Sequence, residues 1–285
     1  MLNIIVQYYN DSNPERQAEV DDAFRRNLDC PWVTKLHNLV EPETVVPDWL
    51  EAHPKYVERR LLGRLTYLDA IEYGNECLKG ERVCLMNADT FVDTESPWFH
   101  VREIDPKIIL CQTRHELLSS GELVMDPAYR KSWGRNTQDA WIWLSPIRVP
   151  NADFELGRLG CDGAIAHRFK SAGYYVVNRG AVLKIGHIDV CRGKTASQTC
   201  AFHSRNASAS ESRPAADGWA FVPDIQLTPD LEVLLEHVNP TSFQKYLIAS
   251  ELISTFLEPE PEVLGKEPKS REIPNAGQAV LERRA

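Results

Sequence analysis

The sequence predicts an α/β fold, with a mostly parallel central sheet flanked by helices and a helical extension at the C-terminal end. Two observations carry this. Short β-rich apolar runs alternate with amphipathic helical patterns over the first ninety or so residues, the signature of strands joined by crossover helices. Further on, apolar runs of strand type recur at 108–113 and 139–144, and beyond residue 225 the apolar positions fall at helical spacing.

Taken in order, Ile4 to Tyr8 reads as the first strand, stopped by Asn10-Asp11-Ser12-Asn13-Pro14. Asn13 is placed to cap a helix whose first position is Pro14, a residue with no N–H to leave unpaired there. Val20, Phe24 and Leu28 recur every four residues and give that helix one buried stripe. Trp32 to Val40 is a second strand, and the region punctuated by Pro42, Pro47 and Pro54 should hold only short elements. A helix is expected from Thr66 to Leu78, with Leu68, Ile71 and Leu78 facing the core, closed by Gly80 and followed by the strand Val83 to Met86. Ile108 to Thr113 is a buried strand, Ser119-Ser120-Gly121 a hairpin-like turn, and Asp139 to Leu144 a further strand. Cys161 to Ser171 suits a helix, while Tyr174 to Asn178 and Val182 to Ile185 suit strands. Ala196 to Gly218 is rich in Ser, Ala and Asn and reads as a loop. Helical patterns span Pro229 to Val238 and Ser242 to Leu257, and the charged tail after Pro259 has little to pack. The domains expected are a main α/β domain over 1–225, a helical extension over 226–258 and a tail over 259–285.

Composition removes several classes. An apolar fraction of 43% and a charged fraction of 26% in 285 residues are those of an ordinary globular chain. A net charge of -9 argues against a nucleic-acid binder, which carries a basic face. Seven cysteines without a CxxC pair do not form a disulfide framework, so a reducing, cytoplasmic setting is expected. Leu2-Asn3-Ile4-Ile5-Val6 looks like a strand rather than a signal peptide, and no apolar run reaches the ~20 residues of a membrane span. Peripheral contact with a membrane stays open.

Four segments can carry chemistry. Arg82-Val83-Cys84-Leu85-Met86-Asn87-Ala88-Asp89 is a buried strand with an acidic tip, and Asp93 follows as a turn residue. A carboxylate at that edge of an open α/β sheet faces the crevice where ligands bind, although an Asx-rich turn has the same composition. Thr137-Gln138-Asp139-Ala140-Trp141 opens an aromatic strand, or is simple strand-edge polarity. Gly157, Gly160, Cys161, Asp162 and Gly163 form a turn with Asp162 at a helix start, where Asp is also an ordinary cap. Leu183-Lys184-Ile185-Gly186-His187 ends in a histidine that is either a ligand or a hydrogen-bonded core group. Cys191, Cys200 and His203 match no structural zinc spacing.

In this order the segments Asn87-x-Asp89-x-Phe91-x-Asp93, Gln138-Asp139-x-Trp141, Gly160-Cys161-Asp162 and His187-x-Asp189 resemble those of a poorly characterised branch of the nucleotide-sugar-dependent glycosyltransferases of GT-A (Rossmann-like) fold. The resemblance runs from about Ile4 to Arg192, and Gly163 and Asp189 depart from the branch pattern, which often has Asn and His there. It implies a nucleoside-diphosphate sugar donor, a glycan or other hydroxyl acceptor, Mn2+ or Mg2+ held by Asp89 and His187, and inversion with Asp162 as base, Asp139 being the reserve. The helix start is expected to lower the pKa of Asp162 and keep it ionised. Gln7, Tyr8, Tyr9, Asn87 and Gln138 become candidate donor contacts, with Arg64, Arg114 and Arg192 candidate phosphate contacts. Trp141 and Trp143 offer either a sugar-stacking surface or core packing. The tail suggests a piece of a larger multidomain glycan-synthesis protein. The competing functions are a sugar-phosphate nucleotidyltransferase and a non-catalytic nucleotide- or carbohydrate-binding module.

Overall fold

The computed structural model describes residues 1–125, 138–158 and 160–189. The expected loop over 196–218, the helical extension over 226–258 and the tail over 259–285 lie outside the described residues, as does Arg192.

The elements, in chain order, are β1 (Leu2–Val6), α1 (Pro14–Asp29), β2 (Val33–Val40), α2 (Asp48–Glu51), β3 (Tyr56–Arg60), α3 (Tyr67–Cys77), β4 (Arg82–Met86) and β5 (Thr90–Val92). After a 3-10 segment at Trp98–Glu103 come β6 (Ile108–Gln112), β7 (Arg114–Leu117), β8 (Leu123–Val124), β9 (Ala140–Leu144), α4 (Cys161–Ser171), β10 (Tyr175–Val177) and β11 (Ile185–His187). The main sheet has seven strands in the order β10-β6-β9-β4-β1-β2-β3. All its pairings are parallel except those of β9, which runs antiparallel to both β4 and β6. A mostly parallel α/β sheet is thus present.

Local chemistry explains the boundaries. Asn13 accepts from the N–H of Glu15 and Pro14 opens α1, as the sequence predicts. α3 carries a capping box in which Thr66 and Asp69 bond each other's backbone N–H. β1, β4 and β9 are buried along almost their whole length, as strands covered on both faces must be, and Val20, Phe24 and Leu28 of α1 seal one side. Trp141 and Trp143 are fully buried in the cluster on the other side, with Tyr67 edge-on to Trp141 at 5.1 Å. They are core residues and offer no surface to a sugar.

Two strand positions shift from expectation. β1 ends at Val6 because the N–H of Tyr8 leaves the ladder for the Asn38 side chain at 2.8 Å. The last strand is Ile185–His187, not Val182 to Ile185, because the N–H groups of Val182 and Leu183 both fold back onto the Arg179 carbonyl. That shift creates a second, four-stranded sheet, β5-β11-β7-β8, which the sequence reading did not foresee beyond the β7–β8 hairpin. Among the described residues no helix is long and apolar enough to cross a membrane.

Candidate active site

β2 and β3 lie on one side of β1 and β4 on the other, so the direction in which successive strands are added to the sheet reverses between β1 and β4, although the two run parallel. At such a switch point the connections leave a crevice at the carboxyl ends of the strands. The tip of β4 delivers Asn87 and Asp89 there. β9 contributes from its start rather than its end, because its antiparallel run pairs Ala140 with Met86 and places Gln138 and Asp139 at the same edge. The N-termini of α1 and α4 bring Arg16 and Asp162.

The second sheet supplies the histidine. β11 pairs antiparallel with β5, setting His187 opposite Thr90, and the N–H of Ile188 donates to the Asp89 carbonyl at 3.0 Å. His187 therefore sits beside Asp89, its Nε2 3.4 Å from Oδ2. On its other side the parallel pairing with β7 puts Glu116 opposite, with Oε2 2.7 Å from Nδ1. Gly186 allows this close pairing: a Cβ there would lie 2.2 Å from the Phe91 ring across the strand pair. Burial disfavours a charged imidazole, but the Asp89 charge and the bonds to Asp89 and Glu116 outweigh it and push His187 up to about 9. Burial would raise Glu116, yet His187 and Arg114 together hold it below the ordinary carboxylate range.

Arg16, not anticipated from the sequence, closes the group. It is 8% exposed, contacts Asp89 Oδ2 through Nη2, and through Nη1 donates to Glu19 at 2.9 Å and to the Ile188 carbonyl at 3.1 Å. Burial works against its charge, and Asp89 more than restores it, leaving the guanidinium more firmly protonated than usual. Tyr9 is half-buried beside this pair, its phenol pushed up by burial, with Arg16 opposing and Asp89 adding.

A second group adjoins the first through Arg114, which pairs with Glu116 at 2.9 Å and Asp139 at 3.3 Å. Asn87 donates to Asp139 Oδ1 at 2.5 Å. Asp162 is the second residue of α4; the cap is Gly160, whose φ of 88° suits the left-handed turn. Its carboxylate accepts from Cys161 Sγ at 3.1 Å and from the Gln138 N–H at 3.4 Å. The helix start does not keep this acid low as expected. Burial and then the Asp139 charge raise it to about 7, the bonds from Cys161 and Gln138 and the Arg114 charge opposing with smaller effect.

The other predicted residues divide. Gln7 ties the Leu39 carbonyl and the Leu65 N–H, at 3.0 and 3.1 Å, so both ends of its amide hold the protein together. Tyr8 is buried, edge-on to Phe24, with its hydroxyl donating to Asp21 at 2.6 Å. Arg64 stands on the loop before α3, 3.8 Å from Glu155, which also pairs with Arg158 at 2.5 Å. Asp93 accepts from Ser96 at 2.7 Å and is a turn residue. Glu116 was also missed, although Arg114-x-Glu116 alternation on a strand sets both side chains on one face.

Asp89 and His187 suit a divalent ion as a partial ligand set. The carboxylate oxygen and ring nitrogen converge, and Glu116 on Nδ1 is the partner that orients a metal-binding histidine. Hard ions keep waters and substrate oxygens and need few protein ligands. Among the described residues no group of three or more His, Cys, Asp and Glu side chains could hold an ion by itself.

No family profile and no curated protein matches the sequence. Among solved structures, the fold is similar to mannosyltransferase PcManGT from Pyrobaculum calidifontis in complex with GDP-Man and Mn2+, at 14% identity over 89% of this chain and 75% of that one, TM-score 0.47. It is also similar to GalNAc-T7 with UDP, GalNAc and Mn2+, at 12% identity over 90% and 58% of the two chains, TM-score 0.46. S. aureus TarS 1-349 in complex with UDP-GlcNAc matches at 13% identity over 66% and 58%, TM-score 0.41. This chain thus spans about 58% of the length of the latter two.

Proposed function

We propose that this protein is a GT-A-type glycosyltransferase that moves a sugar from a nucleoside diphosphate to a hydroxyl acceptor with inversion, assisted by a divalent ion. The observation that supports this most is the arrangement at the β1/β4 crevice, where Asp89, His187 and Glu116 adjoin the carboxylate pair Asp139 and Asp162. Asp89 and His187 would hold the ion, Mn2+ or Mg2+. When bound, it neutralises charge developing on the departing diphosphate. Glu116 fixes the ring so that Nε2 faces Asp89, and Arg114 couples that carboxylate to Asp139.

Asp162 acts as base toward the acceptor hydroxyl. A carboxylate near 7 is a stronger proton acceptor than an ordinary Asp and is still largely ionised just above neutrality, which suits general-base work. Asp139, bonded by Asn87 and Arg114, holds its oxygens in place beside it and sustains the raised affinity of Asp162 for its proton. Tyr9 and Asn87 are the residues we assign to the donor. Gln7 and Tyr8 act behind them by fixing the end of β1. Arg64, on the loop before α3, reaches Glu155 of the loop leading into α4, where Arg158 also lies, and we assign both arginines to the acceptor side. Gln138 supports Asp162 through its backbone.

A thermal-shift series with nucleoside diphosphates and their sugars, with and without Mn2+, tests the reading. A ligand selective for the native state raises its stability, so one nucleotide should give a rise that requires Mn2+ and is lost in Asp89→Ala. Pyrophosphate formed from a nucleoside triphosphate and a sugar phosphate would assign the crevice to nucleotidyl transfer instead.

A further inference from the structure

We propose that Arg16 is a built-in counter-cation for Asp89, which competes with a divalent ion for Oδ2 and yields it when the ion binds with the donor. The inference rests on the metal-assisted reading above. Arg16 is the third residue of α1, in the turn where the unpaired N–H groups of a helix disfavour a cation. It is also buried, so nothing in its own helix except Glu19 accounts for the charge there. What compensates it is Asp89, the residue the crevice offers to an ion.

The geometry makes the two cations exclusive at one atom. Oδ2 of Asp89 receives Nη2 of Arg16 and faces Nε2 of His187 at 3.4 Å. An ion shared by that oxygen and that nitrogen must use the oxygen lone pair on which Arg16 now donates. Of the contacts of Arg16 only this one has to break, and the proton that His187 Nε2 shares with the same oxygen leaves with the incoming ion. Nη1 keeps Glu19 at 2.9 Å and the Ile188 carbonyl at 3.1 Å, one residue from His187, so the guanidinium stays in the crevice. The released Nη2 donors are then available to a phosphate oxygen of the donor, with which a guanidinium pairs well. The expected behaviour is weak ion binding by the protein alone and stronger binding with a nucleoside diphosphate, which offers Arg16 a new acceptor.

The test is titration of the full chain with Mn2+, reading free ion by electron paramagnetic resonance. Arg16→Gln should tighten Mn2+ binding by about tenfold, a typical coupling between two linked ligands. It should also reduce the further gain that wild type shows on adding a nucleoside diphosphate. If wild type binds Mn2+ through Asp89, as shown by loss in Asp89→Asn, and Arg16→Gln binds no tighter, the inference falls and the metal-assisted reading stands. If neither wild type nor Arg16→Gln binds Mn2+, both fall. Should Arg16→Gln fail to fold, nitrogen NMR of the wild-type arginine side chains decides. The slow Nη rotation of an ion-paired Arg16 must speed up on saturation with Mg2+, and its persistence overturns the inference.

Discussion

Replacing Asp162 by Asn should make the protein more stable above neutrality while turnover collapses. In the folded chain the acid is raised from 3.8 to about 7. It therefore binds a proton more tightly folded than unfolded, and its contribution to stability falls as pH rises from about 4 to about 7. At 1.36 kcal/mol per pKa unit, a shift of about three units corresponds to a ceiling of about 4 kcal/mol of destabilisation fully present above pH 7. Asn is nearly isosteric and can still accept from the Gln138 N–H, so the substitution removes the charge beside Asp139 without opening a cavity. With a chain of this size, 1 kcal/mol moves the melting midpoint by roughly 2–4 °C, so a rise of at most about 8–16 °C at pH 8 is expected. At pH 4 the two proteins should melt together, because the wild-type acid is then protonated. Wild-type turnover should rise through about pH 7 as the base ionises, and Asp162→Asn should show neither the rise nor the activity. Equal melting of the two proteins at pH 8, or a lower midpoint for the variant, would refute the account of burial and Asp139 as the cause.

The second sheet gives two further predictions. In Gly186→Ala the new Cβ meets the Phe91 ring, at a cost of about 1–3 kcal/mol in denaturant unfolding. Adding Phe91→Ala should recover part of it, and strict additivity of the two changes would deny the contact. Asn27, buried on α1, donates to the Thr90 carbonyl and accepts from the Val92 N–H, both at 2.9 Å, so it stands in for a neighbouring strand along β5. Asn27→Ala strands both groups and should cost about 2–4 kcal/mol, with faster hydrogen exchange at Val92 as the local sign.

What the sequence makes legible is what local chemistry decides. Asn13-Pro14 marks the start of α1, and Cys161 to Ser171 is a helix over the range expected. β3 was hidden because Tyr56–Arg60 is a half-exposed, charged edge strand, whose polarity protects an open edge but erases the apolar signal. β5 was hidden by its length: Thr90–Val92 is three residues inside what reads as an Asx turn. At the site, Asp89, Asp139, Asp162 and His187 could be picked out because each stands at one end of an apolar run or at the start of a helix. Arg16 could not, since Pro14-Glu15-Arg16-Gln17 has the composition of any solvated first turn. Only its burial against Asp89, a contact seventy-three positions away in sequence, distinguishes it. The weakened acidity of Asp162 escapes the sequence for a related reason. A helix start is visible in the sequence, whereas burial and a neighbouring Asp139 are properties of the assembled crevice.

Asn87-Ala88-Asp89 is more than the tip of a strand, because it is where the chain passes from one sheet to the other. β4 belongs to the seven-stranded sheet and β5 to the four-stranded one. On the first side the Asn87 N–H donates to the Asp139 carbonyl at 3.0 Å, and on the second the Ile188 N–H donates to the Asp89 carbonyl at 3.0 Å. The acidic side chain is therefore fixed by two separate hydrogen-bonded ladders that meet only over these three residues. Asp139 and Asp162 are referenced to the main sheet, His187 and Glu116 to the smaller one, and Asp89 relates the two sets. A change that loosens only the smaller sheet, such as Gly186→Ala, should then displace His187 from Asp89 while leaving the Asn87–Asp139 contact intact. Ion binding and base strength would separate in such a variant: Mn2+ affinity should fall while the pH of half-maximal turnover stays near its wild-type value.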